Sequence, residues 1–554
     1  MREQVIFTPT VTPELAAGCA PLNIFGEGRS SQAARDYIRV DNFYQNESTQ
    51  NFTQAILTGE VLNLPAGPLQ FAISGEIRKE ELEFGAAEFN STGRTRFAPS
   101  AFTQAEVEAV EYGLELRIPI FGDGFNLPFV QALEFNPSIR YATLEGSATP
   151  FRNLSGVLQS PSYDGDREEI YTLAGTWEVN DQLLFRGNVS KSVRNPSIVE
   201  LFLGNQPFFT SSGDPCSATN YTGGSQGTNR RLNCIAEVRR IAALNGGSLV
   251  AQNGTTVAIG NDAQAEAFIL NAGQSGYGVT GSAFTGLISG RQSLVPEKGD
   301  SFTFGFVATP EFIPNLIVAA DYLEITVEDA IGPLLAQSAA VFCYDSASYP
   351  DNTVDIGVNS CAGIQRDNTF NFTNGFELPF FNLGATRVKA INANMSYSLD
   401  LSDVFSSDMD LGRLGLRGNA YYLLEYTTSG IGDFSDAIAA ENSLANPTWK
   451  SQANILYDRG PLSLRWTTSF QDAAIVRGTG SSTQATIDQN TIVRWPSYAT
   501  HTFAIGYDIT ENATARFVVD NLTDENALGQ YGLNNGTYID TLGRRWSASL
   551  TYKF

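Results

Sequence analysis

Apolar and polar residues alternate with a period of two over long stretches of this chain. At its end Trp546, Ala548, Leu550, Tyr552 and Phe554 are apolar, while Ser547, Ser549, Thr551 and Lys553 between them are polar. Leu462, Leu464, Trp466, Thr468 and Phe470 repeat the pattern against Ser463, Arg465, Thr467 and Ser469, and so do the segments 69–78 and 499–508. Successive side chains of a strand point to opposite faces. Such segments exceed the roughly 5–6 residues of an ordinary sandwich strand. They match a strand standing between lipid and a wet lumen.

Fifteen strands are expected, at 50–63, 68–80, 105–119, 129–143, 168–178, 182–193, 299–309, 314–327, 382–399, 411–425, 448–457, 460–471, 497–508, 512–522 and 543–554. Their connections alternate short and long: 64–67 then 81–104, 179–181 then 194–298, 310–313 then 328–381. Short turns on one side and long loops on the other are the pattern of an outer-membrane barrel, with periplasmic turns and extracellular loops. The fold expected is therefore all-β, an antiparallel transmembrane β-barrel. Residues 1–49 are read as an extracellular loop and 50–554 as barrel. On this count the first and last strands run the same way, so they cannot pair antiparallel.

Composition supports the barrel. Of 554 residues 17% are charged, Gly (51), Phe (36) and Tyr (21) are abundant, and no run of about 18 apolar residues marks a membrane helix. The net charge of −24 speaks against nucleic acid, whose phosphates need basic patches. Residues 1–17 lack the basic and apolar regions of a signal peptide.

Five cysteines fall into two pairs of equal spacing, Cys216 with Cys234 and Cys343 with Cys361, plus Cys19. Neither pair has metal-ligand spacing, and His501 is the only histidine, so no metal site is expected. Two disulfides restraining the long loops 194–298 and 328–381 are the better reading, at about 3 kcal/mol each. The loop 194–298 is too long to lack structure of its own. Residues 234–247 read as a helix with Arg239 and Arg240 exposed and Gly246 near its end. Phe208, Phe209 and Tyr221, beside Arg230 and Arg231, are candidates to grip a sugar ring or an anionic metal chelate, with packing inside the loop as the plainer alternative. Glu60, Glu76, Arg78, Arg417 and Arg465 are expected on the lumen wall. His501 lies on the apolar face near the outer rim, beside Trp495 and Tyr498, where a girdle position fits better than catalysis.

The layout brings known segments into view. "RGNVSKSVRNPSIVELF" (186–202), "LVPEKGDSFTFGFVATP" (294–310), "DYLEITVEDAI" (321–331), "VDNLTDENALGQYG" (519–532) and "GRRWSASLTYKF" (543–554) resemble, in order, segments of TonB-dependent receptors. "CAPLNIFGEG" (19–28) and "VEAVEYGLELRIPI" (107–120) are similar to segments of the proximal half of such barrels. The resemblance implies twenty-two strands, a plug, a signal peptide and a TonB-contacting segment. Fifteen strands and an unpaired Cys19 then imply that residues 1–554 are the C-terminal part of a longer protein. It also implies active uptake of a scarce nutrient (siderophore, cobalamin, carbohydrate or peptide) across a Gram-negative outer membrane. No cofactor or covalent chemistry is implied, so no enzyme is expected. Outer-membrane lipid, the ligand and a TonB complex acting through a plug are the partners implied. So is the barrel assembly machinery, reading Trp546, Leu550, Tyr552 and Phe554 as a C-terminal signal. The alternatives are a plug-less passive channel and a surface barrel for adhesion or phage attachment.

Overall fold

A computed structural model describes residues 20–554 apart from 24, 92–99, 123, 153–157, 212, 224–226, 252, 272–282, 334–335, 351–352, 355–357, 360, 362–363, 365, 373–375, 430–437, 440–441, 444, 476–493 and 526–541. Cys19 and the second half of the segment 519–532 lie outside the described residues.

Each alternating segment is a strand. The wall consists of β1 (Tyr44–Leu64), β2 (Gly67–Ala86), β3 (Thr103–Phe121), β4 (Ala132–Ala148) and β5 (Glu168–Asn180). Then come β6 (Leu183–Arg194), β7 (Glu297–Ala308), β8 (Leu316–Pro333), β9 (Phe380–Asp400) and β10 (Arg413–Ser429). The remaining strands are β11 (Trp449–Arg459), β12 (Leu462–Gln471), β13 (Tyr498–Thr510), β14 (Ala513–Asp520) and β15 (Arg545–Tyr552). Every strand pairs antiparallel with the next in sequence, from β1 to β15. Two short strands, Ser162–Asp164 on β4 and Ile438–Ala439 on β10, bring the sheet to seventeen. Among the described residues nothing joins β1 to β15, and both edges are exposed. Both also run toward the short-turn side, as the alternation of connections requires.

Register assigns the faces. Phe304, Tyr322, Ile391 and Tyr422 follow one another across β7 to β10, and Ile455, Trp466, Phe503, Val519 and Trp546 across β11 to β15. This is the lipid face, and its rings contact one another: Trp177 with Phe185 at 5.4 Å, Phe185 with Phe304 at 6.0 Å, Tyr422 with Trp449 at 5.7 Å. The opposite face carries Arg78 with Glu76 at 3.3 Å, Arg140 with Glu111 at 3.3 Å and Arg186 with Asp321 at 2.7 Å. Gly305 makes room for that last pair, since a Cβ there would lie 2.2 Å from Asp321 Oδ1. Beyond β8 the luminal face becomes rich in amides and hydroxyls, with Asn394, Asn419, Asn454 and Thr467 around Arg417.

The strands differ most from expectation at their outer ends: β1 begins six residues earlier than 50, and β2 ends six residues after 80. Above the aromatic band the outward face turns ionic and the alternation disappears. Lys79 bridges Glu81 (3.2 Å) and Glu106 (2.9 Å), and Lys389 bridges Glu324 (3.5 Å) and Glu425 (3.1 Å). The backbone ladder continues beyond the bilayer, where lipid no longer imposes apolar residues.

His501 lies on the lipid face, as expected; the side chain of Trp495 lies outside the described part. Tyr498 is on the opposite face, its hydroxyl on Gln471. Trp466 packs 5.5 Å from the imidazole, and Thr468 Oγ1 lies 3.0 Å from Nδ1.

Candidate functional site

After β6 the chain turns inward over the lumen, and the local sequence dictates that turn. Ser197 caps a short helix, α1 (Ile198–Phe202), through a reciprocal capping box with Glu200. Arg194 then reaches both Glu297 (Nε to Oε2, 2.6 Å) and Glu200 (Nη1 to Oε2, 3.0 Å). Glu297 also accepts the Ile331 amide at 2.6 Å. One guanidinium therefore ties the end of β6, the cap of α1, the start of β7 and the end of β8. Ile198, Leu201 and Phe202 are buried with Leu82, Val107 and Leu144 at the barrel mouth. Gly290 lies so close to α1 that its Cβ would fall 2.5 Å from the Leu203 amide nitrogen. A cavity of about 300 Å³ remains below, lined by Arg78, Glu80, Glu111, Arg194 and Ile198 on the luminal wall.

Beyond this clamp the two longest loops fold together. Strand Gln206–Ser211 pairs with Ala283–Ile288 from the same loop, which pairs in turn with Phe376–Glu377 from the other. Three helices, α2 (Gly227–Leu244), α3 (Asp262–Asn271) and α4 (Ala336–Asp345), share one apolar core. The expected helix thus begins seven residues before Cys234. Gly246 and Gly247, at φ +73° and +84°, stand past its end. The disulfides Cys216–Cys234 and Cys343–Cys361 are both formed, each inside its own loop.

Ionic pairs also join the loops. Arg366, fully buried, donates to both oxygens of Asp214 at 2.6 and 2.7 Å, to the Tyr344 hydroxyl at 2.9 Å and to the Phe370 carbonyl at 2.7 Å. Its guanidinium also lies 4.2 Å from the Phe370 ring centroid and 4.1 Å from that of Phe372. Burial alone would lower the Arg366 pKa, but the Asp214 carboxylate beside it holds it above the ordinary value. Asp214 accepts the Cys216 amide as well, at 2.8 Å, which anchors the first disulfide to the second loop. Arg230 Nη2 contacts Asp345 at 2.7 Å, and Asn233 bonds the Tyr344 carbonyl at 2.9 Å. Burial works to raise the Glu237 pKa, yet hydrogen bonds from Arg240 and Tyr349 keep that carboxyl below its usual range.

The structure draws the candidate contact residues into this body. Tyr221 is buried, its hydroxyl on Glu266, and Arg231 makes a bidentate pair with the same carboxylate at 2.7 Å. Arg230 is buried against Asp345. Phe208 and Phe209 lie in the backbone pairing of Gln206–Ser211, their side chains outside the described part. Arg239 and Arg240 are half-exposed but paired, with Asp262 and Glu237. Sequence reasoning missed Asp214 and Arg366 altogether. At the chain terminus Trp546, Leu550 and Tyr552 are exposed on the lipid face, and Phe554 is exposed just beyond the strand.

A family model described as TonB dependent receptor-like, beta-barrel matches residues 17–239 and 251–522. Among solved structures, the ferripyoverdine receptor of the Pseudomonas aeruginosa outer membrane is similar over 93% of this chain and 49% of its own, at 11% identity and TM-score 0.48. A siderophore receptor from Acinetobacter baumannii is similar over 92% of this chain and 63% of its own, at 13% identity and TM-score 0.44. The Serratia marcescens hemophore receptor, as a double mutant with its hemophore and heme, matches over 92% and 60%, at 12% identity and TM-score 0.48. The chain spans about half the length of the first of these structures. No curated protein sequence matches it.

Proposed function

The chain belongs to the TonB-dependent receptor β-barrel family, and from that premise we propose that it serves energy-coupled uptake of a scarce nutrient, recognised by the body its two longest loops form. It is a Gram-negative outer-membrane barrel and not an enzyme. The observation that carries the reading is the clamp at Arg194, which sets a folded, doubly stapled body over the luminal mouth. Tyr221, Arg230 and Arg231 hold this body together, and a ligand meets the surface they support. The ligand is a siderophore, cobalamin, carbohydrate or peptide. Energy comes from a TonB complex acting through a plug, and the open sheet is completed by an odd number of further strands. The exposed Trp546, Leu550, Tyr552 and Phe554 are the residues read by the assembly machinery.

Uptake of a labelled panel of ferric siderophores, cobalamin, oligosaccharides and peptides by cells carrying the receptor tests this. Excising residues 206–288 is expected to abolish uptake of one class while the barrel remains assembled, and a protonophore is expected to do the same. Uptake of every class unchanged by the excision would refute recognition by the loops. Uptake that survives the protonophore would favour a passive channel.

A further inference from the structure

Four short-side turns, 65–66, 181–182, 460–461 and 511–512, have two residues each and no large apolar side chain. The three longer ones, 122–131, 309–315 and 401–412, all carry exposed apolar groups: Phe125, Leu127 and Phe129, then Phe312, then Phe405 and Met409. Extra length on this side is spent on hydrophobic side chains facing out of the protein.

The β3–β4 turn shows where they point. Phe121, on the lipid face opposite Leu133, stacks on Phe125 with centroids 5.4 Å apart and planes 8° from parallel. Trp177, also on the lipid face, donates its indole N–H to the Phe129 carbonyl at 2.9 Å. The turn is thereby rolled onto the lipid side of the wall. Two tight pairings shape its backbone: Gly122 and Phe125 exchange both hydrogen bonds at 3.0 Å, and so do Leu127 and Val130, at 3.2 and 2.9 Å. The groups so paired can leave bulk water without being stranded.

Phe129 carries the inference furthest. In the turn Leu127-Pro128-Phe129-Val130 it occupies the position that favours glycine, at φ +66°, and its side chain is 75% exposed. A bulky residue in the left-handed region is strained, and among the described residues no contact offsets that strain by burying the ring. We infer that the β3–β4 turn is a membrane foot: Phe125, Leu127 and Phe129 enter the headgroup and upper acyl region of the periplasmic leaflet. The occupant is lipid, because the turn continues the lipid-facing aromatic band of Trp177, Phe185 and Phe304 without a break. The foot fixes the depth at which the wall sits.

Depth-dependent quenching tests this. The full chain carrying Cys19→Ser and Phe129→Cys is labelled with an environment-sensitive fluorophore in phosphatidylethanolamine–phosphatidylglycerol vesicles. Expected is quenching by lipid spin-labelled at acyl carbon 5 and little quenching by aqueous iodide, with Asp181→Cys in a neighbouring two-residue turn showing the reverse. Leu127→Cys gives a second reading if the first variant assembles poorly. Iodide quenching at 129 and 127 equal to that at 181, without quenching by the lipid label, would overturn the inference. That is also the result expected if the turn serves an absent periplasmic protein.

Discussion

Asp214→Asn isolates the contact that holds the two long loops together. The Arg366 side chain is 0% exposed and that of Asp214 3%, with guanidinium and carboxylate joined at 2.6 and 2.7 Å. Asparagine keeps one oxygen for the Cys216 amide but removes the charge, leaving Arg366 buried among Tyr344, Phe370 and Phe372. Breaking one side of such a pair costs about 3–5 kcal/mol, mostly as an uncompensated buried charge. At about 1.4 kcal/mol per factor of ten, local opening of the body should become roughly two to four powers of ten more frequent. Native-state hydrogen exchange read by mass spectrometry on peptides covering 214–244 and 336–345 measures this directly, while wall strands β9 and β10 serve as internal controls. The double variant Asp214→Asn, Arg366→Met removes the stranded charge and should recover most of the loss. Exchange within about threefold of the parent in the single variant, or a double variant worse than the single one, would refute a central role for the pair.

Two further outcomes follow from the same geometry. Gly290→Ala drives a methyl against the backbone of Leu201, Phe202 and Leu203. It should cost about 1–3 kcal/mol, lifting the chain off α1 and making trypsin cleavage after Arg291 faster than in the parent. Glu237, with its pKa depressed on folding, contributes stability that is fully present above the unfolded value of about 4.3 and is lost as pH falls through the lower folded value. Near-UV circular dichroism of the tyrosine-rich body should therefore hold from neutrality to about pH 5 and decline below it. Glu237→Gln should weaken the neutral signal and flatten that acid transition, and an unchanged transition would count against the carboxylate.

The wall was legible because lipid imposes a rule on every second residue. All fifteen alternating segments are strands, and the rule lapses at the outer ends, where Lys79, Glu324 and Lys389 face out and the sequence no longer marks the boundary. The loop body obeys no such rule. Asp214 and Arg366 are 152 residues apart, and Arg230 and Asp345 115 apart. Each of the four looks locally like an ordinary surface charge. Arg230 and Arg231 beside Tyr221 had the composition of a ligand grip, and the same composition serves ion pairs equally well, buried and between the loops for Arg230, half-exposed and within one loop for Arg231. The cysteines were easier, since equal spacing in two loops pairs them locally. That locality also limits what they do: each bridge closes its own loop, and neither spans the two. The unity of the body rests on charge pairs and a shared core, so reducing both disulfides should loosen each loop while leaving the loops joined. Cutting the ionic joint should instead loosen the contact between two loops that remain stapled.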